Sequence, residues 1–227
     1  MNRVFTIAID GPVGAGKSTV ADAVASRLGI LHLDTGAMYR ALALHVLNLG
    51  MDVQNEQAIT ELIQGNQVSI DVGFENGAQR TLLNGQDVST LIRTQEVGNA
   101  ASTISRYRPV RQWLVERQQA LATQQSMLLD GRDIGTVVLP QADVKVFLTA
   151  SPETRAQRRY RQLLDQGQQA NFDDVFAQLL SRDHQDQTRA VDPLRQAEDA
   201  VLLDTTHMTF EQSVEAIVQL AEEACRT

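Results

Sequence analysis

The sequence predicts an α/β fold with about five parallel strands flanked by helices and a small β-containing insert. Three observations carry this prediction. A nearly continuous apolar stretch, Val4 to Asp10, runs through a glycine-rich turn into a helix, which is the strand–loop–helix unit of a parallel sheet. Two more apolar stretches of strand length, Met127 to Asp130 and Val144 to Thr149, alternate with helical periodicity later in the chain. Between these regions, from roughly Leu62 to Arg93, the pattern switches to short strands broken by Glu75-Asn76-Gly77 and Asn84-Gly85, the composition of hairpin turns.

Taken in order, Lys17 to Leu28 reads as the first helix and Ile30 to Leu33 as the second strand. Gly36 to Leu49 has apolar residues at helical spacing and is closed by Gly50. Gln67 to Val72, Arg80 to Leu83 and Gln86 to Val88 are the small antiparallel strands. Helical periodicity resumes near Glu96. Pro109 suits the first turn of a helix reaching about Thr123, where its missing N–H costs nothing. Pro152 opens an arginine-rich helix that ends near the polar stretch Asp165 to Asn171. Asp173 or Asp174 is expected to cap the following helix, which runs into Arg189. Ala200 to Leu203 is a last strand, and Phe210 to Ala224 a closing amphipathic helix.

A chain of 227 residues is long enough to bury one substantial core. Hydrophobic residues at 43% and charged residues at 21% exclude a disordered chain. The single cysteine, Cys225, excludes an intramolecular disulfide and fits a reducing compartment, so a cytoplasmic location is expected. No apolar run approaches a membrane span, and a cleavable signal peptide would remove the first strand. The net charge of −8 opposes broad attraction to nucleic acid or to an anionic membrane, so neither is expected as a partner. An anionic ligand must then be held by locally gathered cations. Only Lys17 and Lys145 are lysines, which makes a retained lysine informative.

Gly11-Pro12-Val13-Gly14-Ala15-Gly16-Lys17-Ser18, with Thr19 following, has the Walker A spacing. In such a turn successive backbone N–H groups face the phosphates of a nucleoside triphosphate, and the helix behind adds its positive end. Lys17 is expected to reach the β and γ phosphates, and the Ser18 hydroxyl to meet Mg²⁺. A GTPase would show an Asn-Lys-x-Asp motif, and neither lysine follows an asparagine. What remains is a small kinase whose second substrate is recognised by the rest of the chain.

Four further stretches gather polar residues that a core would not need. They are Asp34-Thr35-Gly36-Ala37-Met38-Tyr39-Arg40, then Arg93 to Val97 leading to Ser102, then Asp130-Gly131-Arg132-Asp133-Ile134-Gly135-Thr136, and finally Arg182-Asp183 with Asp186, Arg189 and Pro193-Leu194. Together with the Walker A turn these resemble the bacterial cytidylate kinase family over nearly the whole chain. Thr35 stands where some members have serine.

The resemblance implies a P-loop kinase fold in one domain, 1–227, with an acceptor-binding insert at about 62–104 and a short helical lid with flanking helices at about 155–189. It implies phosphoryl transfer from ATP to CMP, and usually dCMP, giving ADP and CDP, by a monomer using Mg²⁺. Residue by residue, it places Arg40, Arg132 and Arg189 on the acceptor phosphate, with Thr35 and Tyr39 in the same site. Asp133 is its candidate acceptor for the cytosine amine, with Arg111 and Ser102 on the remaining base edge. Lys17, Arg132, Asp133, Arg182 and Arg189 form the catalytic set.

Several of these residues have a second reading. Asp130 either orders Mg²⁺ through water or caps the next turn as a strand-terminal aspartate. Asp133 could simply pair with neighbouring Arg132. Arg182, Asp186 and Arg189 share one helical face, which either covers the acceptor ribose and phosphate or is an ordinary salt-bridge ladder. Arg155, Arg158 and Arg159 lead into the lid-like Gln166 to Asn171. Arg158 is assigned to the donor nucleotide, and at least one of the three is expected to reach the transferring phosphoryl group. His32, His45, His184 and His207 have no metal-ligand spacing and are given no role, and Trp113 reads as helix packing. Rival functions are a UMP or AMP kinase and a nucleotide-binding regulatory module without catalysis.

Overall fold

In the computed structural model, which describes residues 3–226, β1 (Thr6–Asp10) lies at the centre of a five-stranded parallel sheet. Ile7, Ala8 and Ile9 are all fully buried, as a strand covered on both faces requires. β1 pairs with β6 (Met127–Gly131) on one side and β7 (Val144–Thr149) on the other. β2 (Leu31–Asp34) lies outside β6, and β8 (Val201–Asp204) outside β7. The order β2-β6-β1-β7-β8 brings the carboxyl ends of β1, β2 and β6 together, although more than a hundred residues separate β1 from β6 in the chain. Open parallel sheets bind ligands at that end.

Two apolar clusters cover the sheet. One joins α1 (Lys17–Leu28) and α8 (Phe210–Ala224) to β1 and β7. The other gathers α2 (Thr35–Asn48), α3 (Glu56–Gln64), α4 (Gln95–Ile104) and α5 (Arg108–Ala122). The insert's strands, β3 (Ile70–Glu75), β4 (Ala78–Leu83) and β5 (Gln86–Asp87), form a separate antiparallel sheet. Ile70 and Leu83 of this sheet, and Val88 just after β5, nevertheless sit in the same buried cluster as Met38, Leu42 and Val46 of α2.

The structure corrects several expected boundaries. The first strand begins at Thr6 rather than Val4. β3 is shifted by three residues from the expected Gln67 to Val72. Its turn is two residues long, with Asn76 and Gly77 both left-handed, so Glu75 pairs with Ala78 and the ladder counts back to Ile70 and Leu83. The helix α3 was not expected. Asn55 caps it, and it buries only Ile59, Leu62 and Ile63 of an otherwise polar segment. Neither Asp173 nor Asp174 caps α7 (Phe172–Thr188). Asn171 does, accepting from both of their backbone N–H groups, while the two aspartates lie in the first turn where the helix dipole favours negative charge.

Among the described residues no helix is long and apolar enough to cross a membrane. Lys145 proves structural: its ammonium is buried against the Pro140 carbonyl, 2.6 Å away, and against both oxygens of Asp199.

Candidate active site

β1 ends at Asp10, and the chain must turn at once to enter α1. Only glycine fits at position 11: a Cβ there would lie 2.0 Å from the Leu148 carbonyl oxygen on β7. Gly14 and Gly16 have positive φ, and Gly16 forms the N-cap of α1, so the loop wraps around a space with the helix N-terminus as its floor. Lys17 is buried and donates to the Pro12 carbonyl at 2.9 Å. Burial, then the nearby Arg132 charge, lowers its pKa to about 7. Beside the loop lies a cleft of about 490 Å³ whose lining includes Ala15, Thr19, Arg158, Thr205 and Phe210. Arg158 is held there by the carbonyl and hydroxyl of Thr205, at 2.8 and 3.1 Å.

The Asp130 to Thr136 stretch is pinned to the same strand end. Both oxygens of Asp10 accept backbone N–H groups, from Ile134 and Gly135, each at 2.7 Å. Burial still pushes the Asp10 carboxyl up to about 6. Residues Ile134–Val138 then form a single turn of π-helix, a bulged geometry that occurs often at functional sites.

The Ser18 hydroxyl donates to Asp130 Oδ2 at 3.0 Å. The other Asp130 oxygen lies 2.7 Å from His32 Nε2, and the opposite ring nitrogen of His32 meets Asp22. Burial disfavours a charged ring here, but the hydrogen bonds to the two carboxylates outweigh it and raise the His32 pKa to about 10. The histidine that the sequence left without a role therefore orients the carboxylate. A hydroxyl and a carboxylate oxygen form a hard donor pair of the kind Mg²⁺ accepts while keeping its waters and binding substrate phosphates.

The second half of the site is a cluster of arginines. Asp34 caps α2 and receives Arg40 at 2.6 Å and Arg93 at 3.2 Å. Against the effect of burial, these two guanidinium groups hold its carboxyl below the usual range. Arg132 donates to Asp186 on α7 at 2.8 Å. Arg182 makes no ion pair among the described residues, and burial followed by the Arg132 charge depresses its pKa. Arg40 Nε and Arg189 Nη2 are buried donors without a hydrogen-bond partner among the described residues. Arg189 Nη2 does lie 3.5 Å from Asp133 Oδ1, an ionic contact without hydrogen-bond geometry.

Asp133 pairs with Arg111 and not with neighbouring Arg132. Arg111 is almost fully buried. It also reaches Asp192 Oδ2 at 2.7 Å and the Ser105 carbonyl at 3.2 Å, and it lies over the Tyr39 ring. Burial pushes the Tyr39 hydroxyl up to about 12. The Thr35 hydroxyl donates to the Asp130 carbonyl, and Ser102 to Gln185 at 3.3 Å. No ladder forms along α7, because the partner of Asp186 is Arg132.

Lys17, Ser18, Asp130, Arg132, Arg182 and Asp186 thus come together at the carboxyl ends of β1 and β6. Thr35, Tyr39, Arg40, Arg111, Asp133 and Arg189 form the adjoining wall. Sequence reasoning missed Asp10, His32, Asp192 and the roles of Asp34 and Arg93. Asp192 is a left-handed residue whose carbonyl takes Arg189 Nε at 2.6 Å and whose carboxylate takes Arg111.

The family description "Cytidylate kinase" matches residues 7–223. A cytidylate kinase from Bacillus cytotoxicus is 45% identical over 226 residues, covering 99% of each chain. One from Carboxydothermus hydrogenoformans is 45% identical over 214 residues, covering 94% of this chain and 96% of its own. Among solved structures, an uncharacterized protein from Eubacterium ventriosum superposes with a TM-score of 0.50 at 11% identity, covering 96% of this chain and 98% of its own, a likeness of fold alone. With the family matched from β1 to α8 and relatives at this identity along nearly its whole length, the chain belongs to the cytidylate kinase family.

Proposed function

We propose that this chain transfers the γ-phosphoryl group of ATP to the phosphate of CMP, and of dCMP, giving ADP and CDP or dCDP. One observation carries the proposal furthest. The phosphate-binding turn and the arginine cluster share a border, since the Arg132 charge acts on Lys17, and two buried guanidinium nitrogens of the cluster, Arg40 Nε and Arg189 Nη2, have no hydrogen-bond partner among the described residues. Cations gathered this closely are stabilised by an anion between them, and two phosphate esters meeting end to end would supply it.

In this reading the backbone of Gly11 to Lys17 cradles the donor phosphates, and the cleft beside Arg158 takes the rest of the donor. Ser18 and Asp130, through water, would hold Mg²⁺, which when bound neutralises phosphate charge. Arg40, Arg132 and Arg189 grip the acceptor phosphate, Asp133 takes the cytosine amine, Arg111 and Ser102 hold the base edge, and Arg182 with Asp186 face the ribose. Thr35 and Tyr39 shape the wall behind. No strong general base is required, because the acceptor is already an anionic nucleophile, and catalysis rests on alignment and charge.

Among the arginines of α6 (Pro152–Asp165), Arg159 is our candidate for the transferring group. Arg155 and Arg158 are engaged with backbone carbonyls. Arg159 instead reaches across to Gln95 on α4 and weighs on the titration of Arg182. The same reading makes the enzyme a cytoplasmic monomer acting on small nucleotides, and the net charge of −8 argues against nucleic acid as a partner.

An ADP-release assay with ATP, Mg²⁺ and each of CMP, dCMP, UMP and AMP tests the proposal. Turnover should be fastest with CMP and dCMP. A clear preference for UMP or AMP would replace the acceptor assignment, and no ADP release with any acceptor would favour a regulatory module.

A further inference from the structure

We infer that Arg155, held by Asp183, is a positioning residue for the donor cradle, and that it acts by fixing the orientation of the Val13–Gly14 peptide. The inference rests on the reading that ATP occupies this loop. It explains an arginine that the sequence grouped with the lid but that the structure places beneath the phosphate turn.

Arg155 lies in the first turn of α6 and is only 4% exposed. All three guanidinium nitrogens are engaged. Nε donates to the Ala150 carbonyl at the end of β7, at 2.9 Å. Nη1 donates to the Val13 carbonyl inside the loop, also at 2.9 Å, and Nη2 lies 2.7 Å from Asp183 Oδ2 on α7. One side chain thereby fixes the loop relative to the sheet and to two helices. The fit around it is tight, since a Cβ on Gly14 would lie 3.2 Å from the Arg155 carbonyl and 3.3 Å from its Cβ.

The physical link is peptide planarity. In a trans peptide the carbonyl of one residue and the N–H of the next point in opposite directions. With the Val13 carbonyl held on Arg155, the Gly14 N–H must point away from α6. Gly14 is itself left-handed, with φ 74°, and it precedes Gly16 and Lys17, so this peptide unit sets the direction of the amides that follow. Without its anchor the unit can rotate, because the glycine beside it tolerates either orientation. Asp183 keeps the guanidinium charge paired and aimed, which a buried arginine requires.

The test compares Arg155→Met, similar in length and without hydrogen bonds, with the wild-type enzyme. Thermal melts first establish a temperature at which both are folded. Isothermal titration then measures binding of a non-hydrolysable ATP analogue with Mg²⁺ and, separately, of CMP. We expect the analogue to bind at least about tenfold more weakly to the variant, the order of a lost charge-assisted hydrogen bond, and CMP to change less than about twofold. Analogue affinity within about twofold of wild type, or an equal loss for CMP, would show that Arg155 is only a structural staple. If Arg155→Met does not fold, Asp183→Asn carries the same comparison, because it keeps an oxygen on Nη2 but removes the paired charge. Again the analogue should weaken selectively. A wild-type enzyme that fails to bind the analogue would count against the donor-site reading itself.

Discussion

Arg132 donates through Nε to the Asp186 carboxylate 2.8 Å away, tying the end of β6 to α7 across 54 residues of chain. Asp186 is therefore held by Arg132, and the proposed function also sets it against the acceptor ribose. Asp186→Ala should lower kcat/KM for CMP and dCMP alike through the released Arg132. It should lower CMP by a further tenfold or more, about what a hydrogen bond from the 2′-hydroxyl to a charged group is worth. Arg189→Ala should harm both substrates equally. A CMP to dCMP ratio unchanged by Asp186→Ala would mean that its carboxylate serves Arg132 alone.

Lys17→Ala should reduce turnover at least about a hundredfold, corresponding to roughly 3 kcal/mol of lost charge stabilisation, while the fold survives. Circular dichroism and the ADP-release assay check the two halves of this statement.

The same lysine predicts a proton linkage. Its pKa is lowered to about 7, below its unfolded value, so burying it costs stability most fully at pH values below 7, and the cost fades as pH rises toward 10.5. Donor phosphates beside it favour the charged form. Nucleotide binding near pH 8 should then take up protons, seen as a binding enthalpy that varies with the ionisation enthalpy of the buffer. Lys17→Ala should abolish that dependence, and a dependence that persists in the variant would assign the proton to another group.

Asp133→Asn should shrink the preference for CMP over UMP, because uracil has no amine to offer it. The carboxylate also pairs with buried Arg111, so the melting temperature should fall too, by the equivalent of about 1–3 kcal/mol. Equal kinetic losses for both acceptors would reassign Asp133 to Arg111 and Arg189.

Gly11→Ala drives a Cβ into the Leu148 carbonyl, one residue beyond the last β1–β7 pair, Asp10 with Phe147, so relief would have to shift backbone at the end of that pairing. We expect destabilisation of about 3 kcal/mol or more in urea unfolding. Gly77→Ala, whose Cβ would have nothing within 4 Å, should cost only the left-handed penalty of about 1–2 kcal/mol. Similar costs at the two positions would contradict this account of the loop.

Local chemistry made much of this molecule legible in the sequence. The Walker A spacing located the turn between β1 and α1, Pro109 and Pro152 marked helix starts, and the Asn-Gly pairs marked the hairpins. Partnerships that depend on strand order were not legible. His32 meets Asp130 only because β2 lies beside β6, where His32 pairs in register with Leu128 and Asp34 with Asp130. Arg93 reaches Asp34 across 59 residues, and Arg155 reaches Val13 across 142. Asp192 had a different obstacle: it occupies an unremarkable place between motif residues, and its left-handed backbone leaves no mark in composition.

The buried cluster that α2 shares with the hairpins has a thermodynamic consequence. Separating the antiparallel sheet from that helix would bring Ile70, Leu83 and Val88 into water together, at about 1.5–3 kcal/mol for each side chain. Partial melting of the hairpins is therefore disfavoured, and they should not form an early-melting unit of their own. Scanning calorimetry should record one endotherm with equal calorimetric and van't Hoff enthalpies, and hydrogen exchange should give the amides of β3 and β4 the same opening free energy as those of α2.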